Sequence, residues 1–174
     1  MTNRSLFVLG GARSGKSRYA QGRAEALDGR HVFLATAEAH DAEMRDRIAR
    51  HQADRDRRWQ TVEAPHALAA AIEALDRPDA IVLVDCLTLW ISNLLLAEAD
   101  IGAATAELCA IVPRFQGHLI LVANEVGLGI VPDNALARRF RDEAGRTNQL
   151  VAAAAGEVQF VAAGLSLPLK PRMP

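Results

Sequence analysis

Cysteine is scarce in this chain: there are two, Cys86 and Cys109, both in apolar stretches, with no C-x-x-C spacing and no neighbouring histidine pair. That excludes a cysteine zinc site and a disulfide framework. A surplus of charge is missing as well. The formal net charge is -1, so no general basic field exists for a polyphosphate backbone, and a nucleic-acid partner would need a local patch such as Arg138, Arg139 and Arg141. No nucleic-acid partner is expected. Long apolar runs are absent too. Near the N-terminus one arginine precedes only Leu6, Phe7, Val8 and Leu9, too few for a signal-peptide core or a membrane span, so a cytoplasmic location is expected. Internal repeats and low-complexity linkers are likewise lacking, which leaves no mark of a second domain.

What is present fits an ordinary globular enzyme. Half of the 174 residues are hydrophobic and 24% are charged, a balance that excludes intrinsic disorder. Residues 1–174 are read as a single nucleotide-binding domain, a size that buries roughly two-thirds of the unfolded surface.

The apolar residues 6–9 run directly into GGARSGKS, residues 10–17, which is a complete phosphate-binding loop of the form G-x-x-x-x-G-K-[ST]. Gly10 and Gly15 permit backbone torsions that a Cβ would forbid, so the amides of Gly11, Ala12, Arg13 and Ser14 can turn inward around phosphate oxygens. Lys16 is placed to reach the β- and γ-phosphates, and Ser17 offers a hydroxyl to Mg²⁺. A helix from about Lys16 points its positive end at the same anion.

Downstream, apolar runs alternate with helical patterns. Strands are expected at residues 6–9, 31–36, 59–64, 80–85, 118–125 and 158–164, and helices at 16–27, 41–57, 66–75, 87–114 with a break near 100–102, and 134–155. Alternation of this kind predicts an α/β fold, a mostly parallel sheet flanked by helices, as in P-loop NTPases with a recombinase-like core. Ligands of such sheets bind at the carboxyl ends of the strands. The polar residues that close the apolar runs are Thr36, Asp85, Asn124 and Glu125. Asp85 ends AIVLVD where an acidic residue would hold Mg²⁺ opposite the phosphate loop; capping the following helix is its alternative use.

His51 stands out in the polar segment DAEMRDRIARHQADR. Such a histidine is ordinarily a surface side chain, yet a neutral imidazole can attack phosphorus at neutral pH, with nearby arginines balancing the displaced phosphates. His31, His40, His66 and His118 show no paired partner in sequence and are read as structural. Trp59 and Trp90 are read as core or contact residues rather than stacking platforms. The glycine-rich stretch VANEVGLGIVPDN is too long for a tight connection and faces either substrate or a neighbouring subunit, or is structural.

Taken in order, GGARSGKS, LATAEAHDAEMRDRIARHQADR, VLVDCLTLWISNLL, VANEVGLGIVP and RRFRDEAGRTNQ resemble the bifunctional adenosylcobinamide kinase/adenosylcobinamide-phosphate guanylyltransferases of cobalamin biosynthesis, from about residue 6 to residue 164. The resemblance implies phosphorylation of adenosylcobinamide by ATP or GTP, then transfer of GMP from GTP through a guanylyl-histidine. By its place in the D-x-E-M-x-x-R-I-x-x-H pattern that histidine is His51; some relatives carry two adjacent histidines, whereas here Arg50 precedes it. The resemblance further implies nucleotide contacts from residues 10–17, from Thr36, Ala37 and Glu38, from Gln52, Ala53, Asp54 and Arg55, and from Glu63 and Asp85. It also implies a homotrimer. The competing readings are a P-loop small-molecule kinase without nucleotidyl transfer, indifferent to His51, a P-loop ATPase working as a motor or assembly protein, and a nucleotide-binding regulator.

Overall fold

The computed structural model describes residues 3–38 and 58–171. The helix expected over 41–57, with His40 and His51, lies outside the described residues.

Seven strands form one sheet: β1 (Ser5–Gly10), β2 (Arg30–Ala35), β3 (Trp59–Glu63), β4 (Ala80–Asp85), β5 (His118–Asn124), β6 (Glu157–Ala162) and β7 (Leu165–Lys170), in spatial order β3-β2-β4-β5-β1-β6-β7. Every neighbouring pair is parallel except β6 and β7. The central strands β1, β4 and β5 are buried on both faces, which is why SLFVLG, AIVLVD and HLILVAN read as continuous apolar runs rather than alternating ones.

Side chains of period two feed two cores. Phe7, Leu9, Leu34, Val82, Val84, Leu119 and Leu121 point to one face, beneath the helices α2 (Leu68–Ala74), α3 (Leu87–Leu96), α4 (Ile101–Ile111) and α5 (Ala135–Ala154). Leu6, Val8, Phe33, Ile81, Leu83, Ile120 and Val122 point to the other, where α1 (Lys16–Glu25) lays Ala20 and Ala24 on them. The small α1 side chains let that helix lie close to the sheet, packed across β4, β5, β1 and β6.

Helix ends follow local chemistry. Asp100 and Asn134 cap α4 and α5, accepting from the amides of Ala103 at 2.9 Å and Ala137 at 2.8 Å. Lys170 on β7 donates to the carbonyls of Ala152, Ala153 and Ala155, which end α5. Trp59, buried, meets the rings of His31 and Phe33 edge-on and donates to Glu25 at 3.1 Å. Trp90 is 1% exposed and donates to the His66 carbonyl at 2.8 Å. Both tryptophans are structural.

One correction concerns the end of the sheet. The apolar stretch at 158–164 is not the last strand: the chain turns at Ala163 and Gly164, both with positive φ (52° and 79°), and returns antiparallel as β7. A two-residue turn with both central residues left-handed is the geometry that closes a hairpin. LSLPLK hides from a strand reading because its side chains are exposed and it holds Pro168, which is tolerated on an edge strand because a ladder N–H is dispensable there.

Candidate active site: a phosphate loop on the carboxyl edge of the sheet

The phosphate loop leaves β1 at Gly10 and enters α1 at Lys16. Gly15, the residue before the helix, has φ +94°, and a Cβ there would also lie 3.2 Å from the Gly164 Cα. At Gly10 a Cβ would come within 2.4 Å of the Val161 carbonyl oxygen. Neither position accepts a side chain. The loop is braced from outside by the β6–β7 turn, whose Gly164 amide donates to the Ser14 carbonyl at 2.8 Å. Arg13 adopts a left-handed φ of 56°, placing successive loop amides around one concavity. The N-cap residue of α1, Gly15, makes no side-chain cap and the first turn holds no acidic residue; the Lys16 amide donates to Ser14 Oγ at 3.4 Å, and the following amides of the first turn are left to an incoming anion. Lys16 is buried, at 8% exposure, and its Nζ donates to the Gly11 carbonyl at 3.1 Å. That bond folds the ammonium over the loop it serves.

Asp85 ends β4, two strands from β1, with its backbone in register with Ala35 and Val122. The helix that follows is capped by Cys86 without any side-chain bond, so the capping use of Asp85 is not realised. No hydrogen bond or ion pair holds its half-buried carboxylate among the described residues. Among them no cluster of three or more His, Cys, Asp or Glu side chains could hold a metal. A hydroxyl from Ser17 and one free carboxylate from Asp85 suit Mg²⁺, a hard ion that keeps waters and takes its other ligands from phosphates. The residues fit the ion.

At the ends of β2 and β3 the geometry differs from a simple contact list. Thr36 is fully buried; its hydroxyl donates to the Cys86 carbonyl at 2.7 Å and accepts from the Cys86 amide at 2.9 Å. That side chain is spent on the fold, and the turn offers a ligand Ala37 and Glu38 instead. Glu38 Oε1 accepts from His66 Nε2 at 2.8 Å. The reading of His66 as partnerless is corrected by this pair, 28 residues apart in the chain and therefore invisible to local spacing. Asn93 was not singled out, yet its buried amide donates both to the Thr36 carbonyl at 2.7 Å and to the Pro65 carbonyl at 3.0 Å. An asparagine inside the apolar helix LTLWISNLLL was the available signal. Glu63, exposed at the end of edge strand β3, stands four strand spacings from β1, about 19 Å.

On the other flank, the Asn124 amide donates to Thr88 Oγ1 at 2.7 Å, and the Glu125 amide donates to the Gly10 carbonyl at 3.0 Å. The Glu125 carboxylate turns back to accept from the Gly127 amide at 2.6 Å, so it serves its own loop rather than standing free over the cleft. Gln52, Ala53, Asp54 and Arg55 share with His51 a position outside the described residues. At the opposite, amino edge of the sheet a small cavity is bordered by Arg4, Arg23, His118 and Glu157. There Arg23 donates to both Glu157 carboxylate oxygens at 2.8 Å, a paired structural bridge that raises the Arg23 guanidinium further above its already high range.

The family described as cobinamide kinase / cobinamide phosphate guanyltransferase matches residues 6–169. This chain belongs to that family. It is 46% identical over 167 residues to the bifunctional adenosylcobalamin biosynthesis protein CobP of Pseudomonas aeruginosa, covering 94% of this chain and 96% of that one. To the corresponding CobU of Escherichia coli it is 41% identical over 183 residues, covering 95% and 99%. Solved structures show the fold alone. The PH0250 protein of Pyrococcus horikoshii superposes with a TM-score of 0.59 at 9% identity, covering 98% of this chain and 87% of that one. The flagellar accessory protein FlaH of Methanocaldococcus jannaschii gives 0.54 at 12%, covering 99% and 80%. The mostly parallel sheet flanked by helices is thus that of P-loop ATPases, as the sequence led one to expect.

Proposed function

We propose that this chain is a bifunctional enzyme of adenosylcobalamin biosynthesis, phosphorylating adenosylcobinamide with ATP or GTP and then transferring GMP from GTP to the new phosphate. The observation that carries the reading is the family match over residues 6–169, which takes in both the phosphate loop and the motif around His51.

In the kinase step the loop amides, the α1 N-terminus and Lys16 hold the β- and γ-phosphates and balance charge as the terminal phosphoryl group moves. The acceptor hydroxyl oxygen forms a bond to the γ-phosphorus and gives up its proton to solvent, the bond to the β–γ bridging oxygen breaks, and the nucleoside diphosphate leaves. Mg²⁺, when held by Ser17 and Asp85 with phosphate oxygens, supplies further charge neutralisation. In the second reaction a nitrogen of the His51 imidazole attacks the α-phosphorus of GTP and pyrophosphate leaves. An oxygen of the cobinamide phosphate then attacks the same phosphorus, the P–N bond breaks, and the imidazole is restored with adenosylcobinamide-GDP as product.

Ala37, Glu38, residues 52–55, Glu63 and Asp85 are proposed as nucleotide contacts. The spread of Ala37, Glu38, Glu63 and Asp85 over the ends of β2, β3 and β4 along the carboxyl edge supports a guanine nucleotide lying across the sheet rather than over the phosphate loop alone. The assembly is proposed to be a homotrimer in the cytoplasm without a nucleic-acid partner; no described helix is long and apolar enough to cross a membrane.

The test is chromatography of nucleotides and corrinoids after incubation with adenosylcobinamide and Mg²⁺. With ATP alone the product is adenosylcobinamide phosphate; adding GTP converts it to adenosylcobinamide-GDP with release of pyrophosphate. Lys16→Ala lowers turnover in the first step by at least about a hundredfold. Nucleotide hydrolysis indifferent to cobinamide would instead identify a P-loop ATPase.

A further inference from the structure

The connection between β5 and α5, residues 126–134, presents aliphatic side chains to solvent at a place where a loop ordinarily carries polar ones. Ile130 is 98% exposed, Leu128 83% and Val131 62%, with Leu136 of the first α5 turn beside them at 55%. The loop is tied at both ends. At its root the Glu125 amide is bonded to the Gly10 carbonyl, the first residue of the phosphate loop, and the Glu125 carboxylate holds the Gly127 amide. At its far end Arg138 donates to the carbonyls of Pro132 at 2.9 Å and Asp133 at 2.8 Å, and Asn134 caps α5. An apolar surface is therefore fixed to the same strand edge as the phosphate loop, on the strand adjacent to β1.

From this placement we infer that residues 128–131, with Leu136, form the platform for the macrocycle of the acceptor. The inference rests on the proposed function. A kinase acceptor has to bring its hydroxyl oxygen to the γ-phosphorus beside Lys16, so its remaining bulk lies on a surface adjoining the phosphate loop. The corrin ring of adenosylcobinamide is a broad, largely apolar face rimmed by amides. Exposed aliphatic side chains suit the face, and the polar residues at the far end of the loop, Asp133 and Asn134, suit the rim. A second copy of the chain is the other conceivable occupant. Four aliphatic side chains make a patch on the order of a few hundred Å², whereas a stable protein interface takes about 800 Å² from each partner. The patch matches one face of a ligand better than a subunit contact.

The experiment compares the parent protein with Ile130→Ser, with the double variant Leu128→Ser/Ile130→Ser, and with Leu169→Ser, which removes an exposed leucine from edge strand β7. Steady-state kinetics give KM for adenosylcobinamide and for ATP, labelling by α-labelled GTP without acceptor reads the nucleotide side alone, and light scattering gives the mass. The expected result is a KM for adenosylcobinamide raised about ten- to a hundredfold in the double variant. KM for ATP, the label and the mass stay at parental values, and Leu169→Ser matches the parent throughout. An unchanged KM for adenosylcobinamide overturns the inference. So does a fall in mass accompanied by loss of all activities, which would make the loop a contact between copies. A parent protein that turns over no nucleotide with adenosylcobinamide overturns the proposed function itself, and this inference with it.

Discussion

Asp85 occupies the end of a strand buried on both faces, and its carboxylate neither caps α3 nor pairs with a cation among the described residues. The proposed role of this carboxylate in chemistry and a role in folding are separable by substitution. Asp85→Asn is expected to leave stability to urea within about 0.5 kcal/mol of the parent, while lowering cobinamide phosphorylation by about a hundredfold and raising the Mg²⁺ concentration needed for half-maximal rate. A large loss of stability would mean that the carboxylate is structural. Its neighbour Cys86 behaves oppositely. Burial, with the Asp85 carboxylate beside it, pushes the Cys86 thiol up from 9.0 to about 11. The folded state thus holds its proton more tightly than the unfolded chain, so this contribution to stability is complete below pH 9 and is lost as pH rises through about 11. Denaturation in urea at a series of pH values is expected to show that decline in the parent, and a shallower one in Cys86→Ala.

Elements are positioned by a few side chains that reach far along the sequence. Asn93 on α3 joins the turn after β2 to the turn after β3 by donating to the carbonyls of Thr36 and Pro65, 57 and 28 residues away. Asn93→Ala leaves both acceptors without their donor, and a stability loss of about 2–4 kcal/mol is expected from urea denaturation; a change under 0.5 kcal/mol, about the size of a surface substitution, would show the bridge to be dispensable. What sequence could and could not reveal divides along the same line. The phosphate loop was legible because its glycines, Lys16 and Ser17 act at fixed covalent spacing, and the strands β1, β4 and β5 because burial on both faces writes an unbroken apolar run. The Asn93 bridge and the Glu38–His66 pair were not, since each joins residues that only tertiary folding brings together. Strand β7 was missed for a different reason: on an exposed edge a strand needs no apolar pattern, and Pro168 argues locally against one. The bracing of Ser14 by Gly164 depends on that hairpin and was hidden with it.

Across the whole molecule, the strand order β3-β2-β4-β5-β1-β6-β7 spreads the proposed site over the carboxyl edge. The phosphate loop lies at β1, Asp85 at β4, the 36–38 turn at β2 and Glu63 at β3, with the apolar loop 126–134 rooted beside the phosphate loop. Parallel strands made that shared edge predictable from the alternation of elements, although their lateral order was not, because crossovers of similar length can place a strand on either side of its predecessor. The most direct test of this account is incubation of the protein with Mg²⁺ and GTP labelled at the α-phosphate, alongside His51→Ala. Acid-labile, alkali-stable label on the parent and none on the variant is the predicted result, as a phosphoramidate at His51 requires; an unlabelled parent that still phosphorylates adenosylcobinamide, or equal label on the variant, would contradict it.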